Sequence, residues 1–192
     1  SGQCMSYPRA AACVATLVLA AGLAQAQEIH WVSYAADSEL GFSAWYQGEE
    51  LPGRFGRFEA HLQLDDSGVE PRALTVEVEV GSADMNDNQV NDELGQPDWF
   101  DTAAFPRAIF SSSEIRRADT GYLAAGHLRL KGIDKALEIP LEWQRDGDSA
   151  TLSGTAILMR RDWQIGAGEW ASDASLADRV ELRYRVVLRP ER

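Results

Sequence analysis

The chain has 192 residues, a length typical of one domain, and its 45% hydrophobic and 25% charged residues lie within the range of soluble globular proteins. This composition excludes a collagen, a low-complexity disordered chain and a multi-pass membrane protein. The 18 Lys and Arg residues against 30 Asp and Glu residues give a net charge of −12. Because such a chain repels phosphate polymers, we do not expect nucleic acid as a partner.

The first 26 residues have the order of a secretory signal. Arg9 is followed by an apolar run from Ala10 to Leu23 and then by the small-x-small site Ala24-Gln25-Ala26. The alternative is an uncleaved membrane anchor, but this run is shorter than the roughly 20 residues that a bilayer span needs. We therefore expect a signal peptide over residues 1–26, cleavage after Ala26 and a periplasmic protein. Residues 1–4 are interpreted as an over-extended or non-native start.

Most of the remaining chain alternates apolar and polar residues with period two. For example, Phe58, Ala60 and Leu62 share one face of a segment, and Glu59 and His61 share the other. This alternation is typical of half-buried antiparallel strands. It predicts about nine strands, at residues 29–35, 40–47, 58–64, 74–80, 108–115, 127–131, 137–143, 150–159 and 180–189.

The segment from Asn86 to Phe105 lacks this alternation and predicts one or two short helical turns between strands. Sequential strands with one apolar face each close most economically as an up-and-down barrel, with a two-sheet sandwich as the competitor. We therefore expect an all-β fold over residues 27–192: one antiparallel, lipocalin-like up-and-down β-barrel of about eight strands with a short helical insertion.

Several positions on the apolar face are small, which bears on whether the barrel is hollow. An eight-stranded barrel either fills its interior or holds one small ligand, and small inward residues favour the second outcome. In the alternative interpretation, Phe42, Phe58 and Trp143 fill the space. The small positions are Ala44, Ala60, Ala124, Gly126, Gly154 and Ala156.

The sequence contains little that points to catalysis. His30, His61 and His127 are far apart, and two of them fall on the polar face, so a three-histidine metal site is not expected. The segment from Asp84 to Gly95 opens like a calcium loop but has Gln at the glycine position and Gly at the final glutamate position. We therefore assign no catalytic residue, no metal ligand and no catalytic cofactor.

Two clusters stand out at the ends of predicted strands. One is Asp98-Trp99-Phe100-Asp101 with Phe105-Pro106, and the other is Arg160-Arg161-Asp162-Trp163 with Trp170. We expect the clusters to meet at one barrel end, where they either plug the barrel or contact a ligand. Arg160 should point inward, held by a carboxylate such as Asp162 because an unpaired buried charge is costly.

An ordered set of motifs runs through the chain. These are Gly53-Arg54-Phe55-Gly56-Arg57-Phe58, Asp98-Trp99-Phe100-Asp101 with Phe105-Pro106, Ala108-Ile109-Phe110-Ser111-Ser112, residues 126–135 and Arg160-Arg161-Asp162-Trp163. Over residues 28–190 the set resembles the YceI-like polyisoprenoid-binding family. The resemblance implies a lipocalin-like barrel in the bacterial periplasm that holds a long isoprenoid, such as a polyprenyl phosphate or ubiquinone. The segment 83–89 lacks the arginine that the family's pattern has there, which favours a neutral quinone over a pyrophosphate.

We therefore expect a binding or carrier protein and not an enzyme, with a hydrophobic isoprenoid as its ligand. Two alternatives remain open: a periplasmic enzyme that acts on a lipid with Arg160 and a rim carboxylate, or a stress-associated structural or interaction module. Transient contact with a membrane or membrane protein fits a carrier, and the sequence leaves the oligomeric state open, with a homodimer as one option. The candidate ligand-binding residues are Phe42, Ala44, Phe58, Ala60, Leu62, Val76, Val78, Trp99, Phe100, Phe105, Ala124, Leu128, Leu141, Ala156, Leu158, Arg160 and Trp163.

The exported protein should begin at Gln27. Both cysteines, Cys4 and Cys13, precede that residue, so the melting temperature of the exported form should not change with a reductant. Intact mass and N-terminal sequencing of the periplasmic fraction check the cleavage site. An exported form that retains Cys13 would contradict the expected compartment and cleavage.

Overall fold

Antiparallel strands make up most of this computed structural model, which describes residues 29–191. The single α-helix of that range is α1, Asn88–Leu94. Residues 29–191 contain no helix that is long and apolar enough to cross a bilayer. The expected signal peptide over 1–26, including its cleavage site and both cysteines, lies outside the described residues. The strands are β1 His30–Ser33, β2 Glu39–Tyr46, β3 Glu49–Phe55, β4 Phe58–Leu64, β5 Pro71–Glu79, β6 Ala83–Asp84, β7 Arg107–Arg117, β8 Tyr122–Leu130, β9 Ile133–Asp146, β10 Ser149–Met159 and β11 Arg179–Pro190.

The first strand closes the barrel. Trp31 of β1 lies opposite Leu62 of β4 on one side and opposite Pro190 of β11 on the other. The pairing therefore runs β1, β4, β5, β7, β8, β9, β10, β11 and back to β1, an eight-stranded antiparallel ring. This confirms the predicted all-β barrel and rules out the two-sheet sandwich.

Where β1 ends, β2 and β3 take its place beside β11 and continue the barrel wall. Leu182 of β11 lies opposite Phe42 of β2, and Phe42 lies opposite Gly53 of β3. The other edge of β3 pairs with β6 through Arg54 and Phe55, so a gap separates most of β3 from β4. The alternation did not predict β3 because Pro52 and Gly53 interrupt it, and proline is tolerated in an edge strand of this kind.

Large side chains fill one end of the barrel. Trp31 is fully buried, and its ring meets Trp143 edge-on at 5.8 Å between centroids. Leu62 and Leu188 pack in the same cluster, and burying each such side chain contributes about 1.5–3 kcal/mol. This end is therefore a packed core, called the closed end below.

Some of the small inward positions make room for rings. An added Cβ on Gly126 would lie 2.3 Å from the carbonyl oxygen of Ser111 and 2.8 Å from Cζ of Phe110. One on Gly154 would lie 2.5 Å from the carbonyl oxygen of Pro140 and 2.7 Å from the hydroxyl oxygen of Tyr184. Burial raises the pKa of the Tyr184 hydroxyl, which donates a hydrogen bond to the carbonyl of Pro140. At these glycines backbone carbonyls and the rings of Phe110 and Tyr184 occupy the space, and Phe42, Phe58 and Trp143 do not.

The predicted helical insertion forms at the opposite end. The side chain of Asp87 caps α1 by accepting hydrogen bonds from the backbone N–H groups of Gln89 and Val90. Asn91 of the helix donates to the Asp84 carboxylate at 3.1 Å, which ties α1 to β6. The insertion thereby lies across the barrel end that the packed core leaves unfilled.

Candidate functional site: an apolar cavity under two loops

An apolar cavity of about 510 Å³ occupies the end of the barrel opposite Trp31. Strands β2, β3, β5, β7, β8, β10 and β11 contribute its walls. It is covered by α1, by the loop of residues 95–106 (the first loop) and by the loop of residues 160–178 (the second loop). This volume is within the range of small-molecule sites. Nine candidate residues from the sequence line it: Phe42, Ala44, Val78, Trp99, Phe100, Leu128, Leu158, Arg160 and Trp163.

The other eight candidates do not line this cavity. Phe105 packs over the turn at Gly132, where an added Cβ would lie 2.7 Å from its ring, and Ala156 is buried beside Trp163 in the wall. The remaining six belong to the closed end or its margin because their strands cross that half of the barrel. They are Phe58, Ala60, Leu62, Val76, Ala124 and Leu141.

Sequence reasoning missed several lining residues. Leu40 and Tyr46 lie on the same face of β2 as the predicted Phe42 and Ala44, and Leu182 lies on the apolar face of a predicted strand, so the alternation alone could have identified them. The strand alternation gave no signal for Leu51 and Phe55 of β3, for Met85, or for Ile165 and Leu176 of the second loop. Val90 and Leu94 are four residues apart, the spacing of one helix face, so a helical pattern could have identified them. Trp170 belonged to the second sequence cluster but was not among the candidate ligand-binding residues.

The two clusters identified in the sequence meet above the cavity. The backbone N–H groups of Gly166 and Ala167 donate to the carbonyl of Asp98 at 2.8 and 2.7 Å. The rings of Trp99 and Trp170 lie 5.7 Å apart. This contact between the loops completes the cavity roof.

Arg160 organises the second of these loops. Its side chain is only 4% exposed, and its guanidinium donates five hydrogen bonds of 2.9–3.2 Å, all to backbone carbonyl groups. The expected ion pair with Asp162 is therefore wrong. Burial lowers the pKa of Arg160, and the charge of Asp178 opposes that shift. The acceptors are the carbonyls of Ile165, Gly166, Ser172, Leu176 and Ala177.

This arrangement leaves Arg160 without a free donor. A guanidinium has five N–H groups, and all five are used. Gly166 has φ of +79°, and an added Cβ there would lie 2.7 Å from Nη1 of Arg160, so the tight packing requires glycine. The alternative of an enzyme site built from Arg160 and a rim carboxylate has no support in this geometry.

Polar groups around the cavity are few. The indole N–H of Trp99 donates to Glu93 at 3.2 Å, and that of Trp163 donates to the carbonyl of Leu128 at 3.1 Å. Among the lining residues that the structure describes, Glu93 is the one carboxylate and Arg160 the one cation. The cavity thus offers an apolar surface bordered by one carboxylate, which accepts from Trp99, and one guanidinium, which is bonded to backbone carbonyls.

The histidines lie on the outer surface, away from the cavity. His61 contacts Glu59 at 2.6 Å, and His127 contacts Asp134 at 2.7 Å. Residues 29–191 contain no group of three or more His, Cys, Asp or Glu side chains placed to hold a metal ion.

Comparisons with known proteins place these features in a family. The family model of the YceI-like domain matches residues 31–188. A UPF0312 protein of Photorhabdus laumondii is 27% identical over 109 residues, which are 56% of this chain and 57% of that protein. A UPF0312 protein of Yersinia pestis is 28% identical over 100 residues, 52% of this chain and 49% of that protein. The chain thus spans about half the length of these curated relatives.

Solved structures agree in fold. BcnA of Burkholderia cenocepacia superposes with a TM-score of 0.76 at 26% identity, over 81% of this chain and 98% of that one. A structure from Saccharophagus degradans, described as a polyisoprenoid binding domain, has a TM-score of 0.67 at 12% identity over 85% and 99% of the two chains. A mutant YCEI protein of Campylobacter jejuni has a TM-score of 0.68 at 18% identity over 75% and 87%.

Replacing Arg160 by glutamine should destabilise the protein by about 3 kcal/mol or more, because buried carbonyl groups of the second loop lose their donors. Arg161 provides the matched control. Its side chain is exposed and pairs with Asp173 and Asp178 at the surface, so Arg161→Gln should cost about 1 kcal/mol or less. Urea unfolding of both variants measures the difference, and equal losses would contradict the role given to Arg160.

Proposed function

Since the chain belongs to the YceI-like family, we propose that it is a periplasmic carrier that holds an isoprenoid lipid with a neutral headgroup, such as a ubiquinone, in the apolar cavity. The observation that carries this proposal is the cavity of about 510 Å³ between the packed core and the two loops. Filling an apolar space of this size with a hydrocarbon chain gains free energy, at about 25 cal/mol per Å² of apolar surface buried. The related fold described as a polyisoprenoid binding domain adds support for this class of ligand.

The periplasmic part of the proposal rests on the amino-terminal sequence. The apolar run from Ala10 to Leu23 and the site at Ala24-Gln25-Ala26 are typical of exported proteins. A carrier in that compartment exchanges its lipid with a membrane through transient contact. We leave the choice between monomer and homodimer open, because the proposal needs one chain with one cavity.

Electrostatics favour a neutral headgroup over a polyprenyl phosphate. All N–H groups of Arg160 are engaged by backbone carbonyls, and Glu93 places a carboxylate at the cavity wall. A phosphate would also approach a chain with a net charge of −12. A quinone or an alcohol encounters no such repulsion.

Reducing the cavity should remove the lipid. Protein purified from the periplasm without detergent should yield an isoprenoid in its organic extract, identified by mass spectrometry. In Ala44→Phe the added ring takes up about 150 Å³ of the cavity, the space that benzene fills, so lipid recovered per protein should fall at least about fivefold. Ala136→Phe, on the exposed outer face of β9, is the matched control and should retain the wild-type amount. Equal lipid content in all three proteins would remove the cavity from the proposal.

Farnesol and farnesyl pyrophosphate share a tail and therefore isolate the headgroup. Binding is followed by the fluorescence of Trp99, Trp163 and Trp170, which line the cavity. We expect the affinity for farnesol to be equal at low and high salt. At low salt the affinity for farnesyl pyrophosphate should be at least about tenfold lower than that for farnesol, and it should rise at high salt because salt screens the repulsion. A pyrophosphate affinity that instead falls with salt, and that collapses in Arg160→Gln while the farnesol affinity of the same variant is unchanged, would make Arg160 a headgroup ligand.

A further inference from the structure

The lining of the cavity reaches the surface in one part of its circumference. Most of the residues that line the cavity are buried or half-buried, and four are exposed: Leu51 of β3 and Gln89, Val90 and Glu93 of α1. Leu51 and Val90 are 36% and 38% exposed although both are apolar. These four residues, called the portal below, mark the place where the cavity meets solvent.

The strand pairing explains why β3 and α1 leave an opening. On the side away from β2, β3 pairs with β6 through Arg54 and Phe55, and its edge from Glu49 to Gly53 has no strand partner in residues 29–191. Because β6 runs antiparallel to β3, the chain that leaves β6 returns toward Leu51 before α1 begins. Within the described range, no backbone hydrogen bond joins α1 to this free edge.

Side chains of two α1 residues hold the helix against its neighbours. Asn91 donates to the Asp84 carboxylate at 3.1 Å and accepts from the backbone N–H of Met85 at 2.8 Å. Glu93 accepts from the indole N–H of Trp99 at 3.2 Å, which links α1 to the first loop. The second loop, in contrast, is fixed by five hydrogen bonds from one buried guanidinium. Moving α1 therefore breaks fewer bonds than moving the second loop.

The gap between β3 and β4 is a less favourable route to the cavity. It forms a hollow of about 1060 Å³ that is bordered by exposed charged side chains, such as that of Arg57. The ring of Phe42 stands between this hollow and the cavity, where it lies directly over Gly53 and packs against Phe55 at 5.1 Å between centroids. A lipid on that route has to pass charged groups and displace packed rings.

We propose that α1 is a lid and that lipid enters and leaves the cavity through the portal, between Leu51 and Val90. This inference rests on the proposed function and adds to it the route of exchange. The two apolar side chains continue the cavity lining to the surface, so a hydrocarbon tail that passes between them stays in apolar contact. Asn91 holds the lid closed and does not itself line the cavity.

Covering the portal should slow exchange. Leu51→Cys and Val90→Cys are made separately in a chain that carries Cys4→Ser and Cys13→Ser, and each new thiol is coupled through a disulfide to a bulky methanethiosulfonate label. Uptake and release of farnesol are followed by the fluorescence of the cavity-lining tryptophans. Both rates should fall at least about tenfold with the label in place, and a reductant that removes the label should restore them.

Three further cysteine positions serve as controls for this label. Met159 is 43% exposed beside the second loop and Val69 is 57% exposed in the turn after β4, and neither lines the cavity. Labels there should leave both rates unchanged. Arg57 tests the other route, because it borders the hollow between β3 and β4. Slower exchange with a label at Arg57, and none with labels at Leu51 and Val90, would overturn the portal.

Loosening the lid should speed exchange. Asn91→Ala removes the bonds to Asp84 and Met85, so uptake and release should both accelerate at least about threefold while the Kd for farnesol stays within about twofold. The matched control is Asp92→Ala at the next, exposed position of α1, which does not line the cavity and should exchange at the wild-type rate. Thermal unfolding checks that each variant is folded. Wild-type rates in folded Asn91→Ala would overturn the role of α1 as a lid.

The outcomes separate this inference from the proposed function. If the wild type binds no farnesol, the proposed function fails and the inference fails with it. If the labelled Leu51→Cys and Val90→Cys proteins both bind farnesol and exchange it at the unlabelled rate, the portal is overturned while lipid binding stands.

Discussion

Five backbone carbonyl groups of one irregular loop converge on the guanidinium of Arg160, and the cavity roof depends on that convergence. Buried carbonyl groups without a donor cost free energy, and a loop without regular structure cannot satisfy them from its own backbone. The same loop presents Ile165, Trp170 and Leu176 to the cavity and contacts the first loop through Gly166 and Ala167. A cation that serves the backbone in this way cannot also serve a ligand. The surface that this end of the barrel presents is therefore mainly apolar.

The interior is filled at one end of the barrel and hollow at the other. An eight-stranded barrel has an interior wide enough for side chains alone or for one small ligand. At the closed end Trp31 and Trp143 bring enough volume to fill it, and β1 closes the hydrogen-bonded ring. At the other end Ala44 and Ala108 line the wall, and loops replace a packed core. The closed end stabilises the fold, which leaves the other end free to remain hollow.

The gap between β3 and β4 follows from the strand order. Because β1 is short, it joins β4 to β11 over three residues on each side, and farther along the barrel β2 takes its place beside β11. The partner of β2 is β3, which contains Pro52 and reaches β6 through just two residue pairs. Ion pairs such as Arg54 with Asp84 border the opening, and their charge keeps the exposed strand edges hydrated.

Period-two alternation was sufficient by itself to determine the all-β class, the antiparallel order and the interruption between β5 and β7, because a strand with one buried face must repeat every second residue. The inward position of Arg160 and the encounter of the two aromatic clusters also followed from the sequence. It could not determine which half of each apolar face borders a cavity. Ala44 and Ala124 share the same pattern, yet one lines the cavity and the other is fully buried in the core. That difference depends on height along the barrel axis and on which large rings lie across the interior, and both are set by strand register and loop packing between residues far apart in the chain.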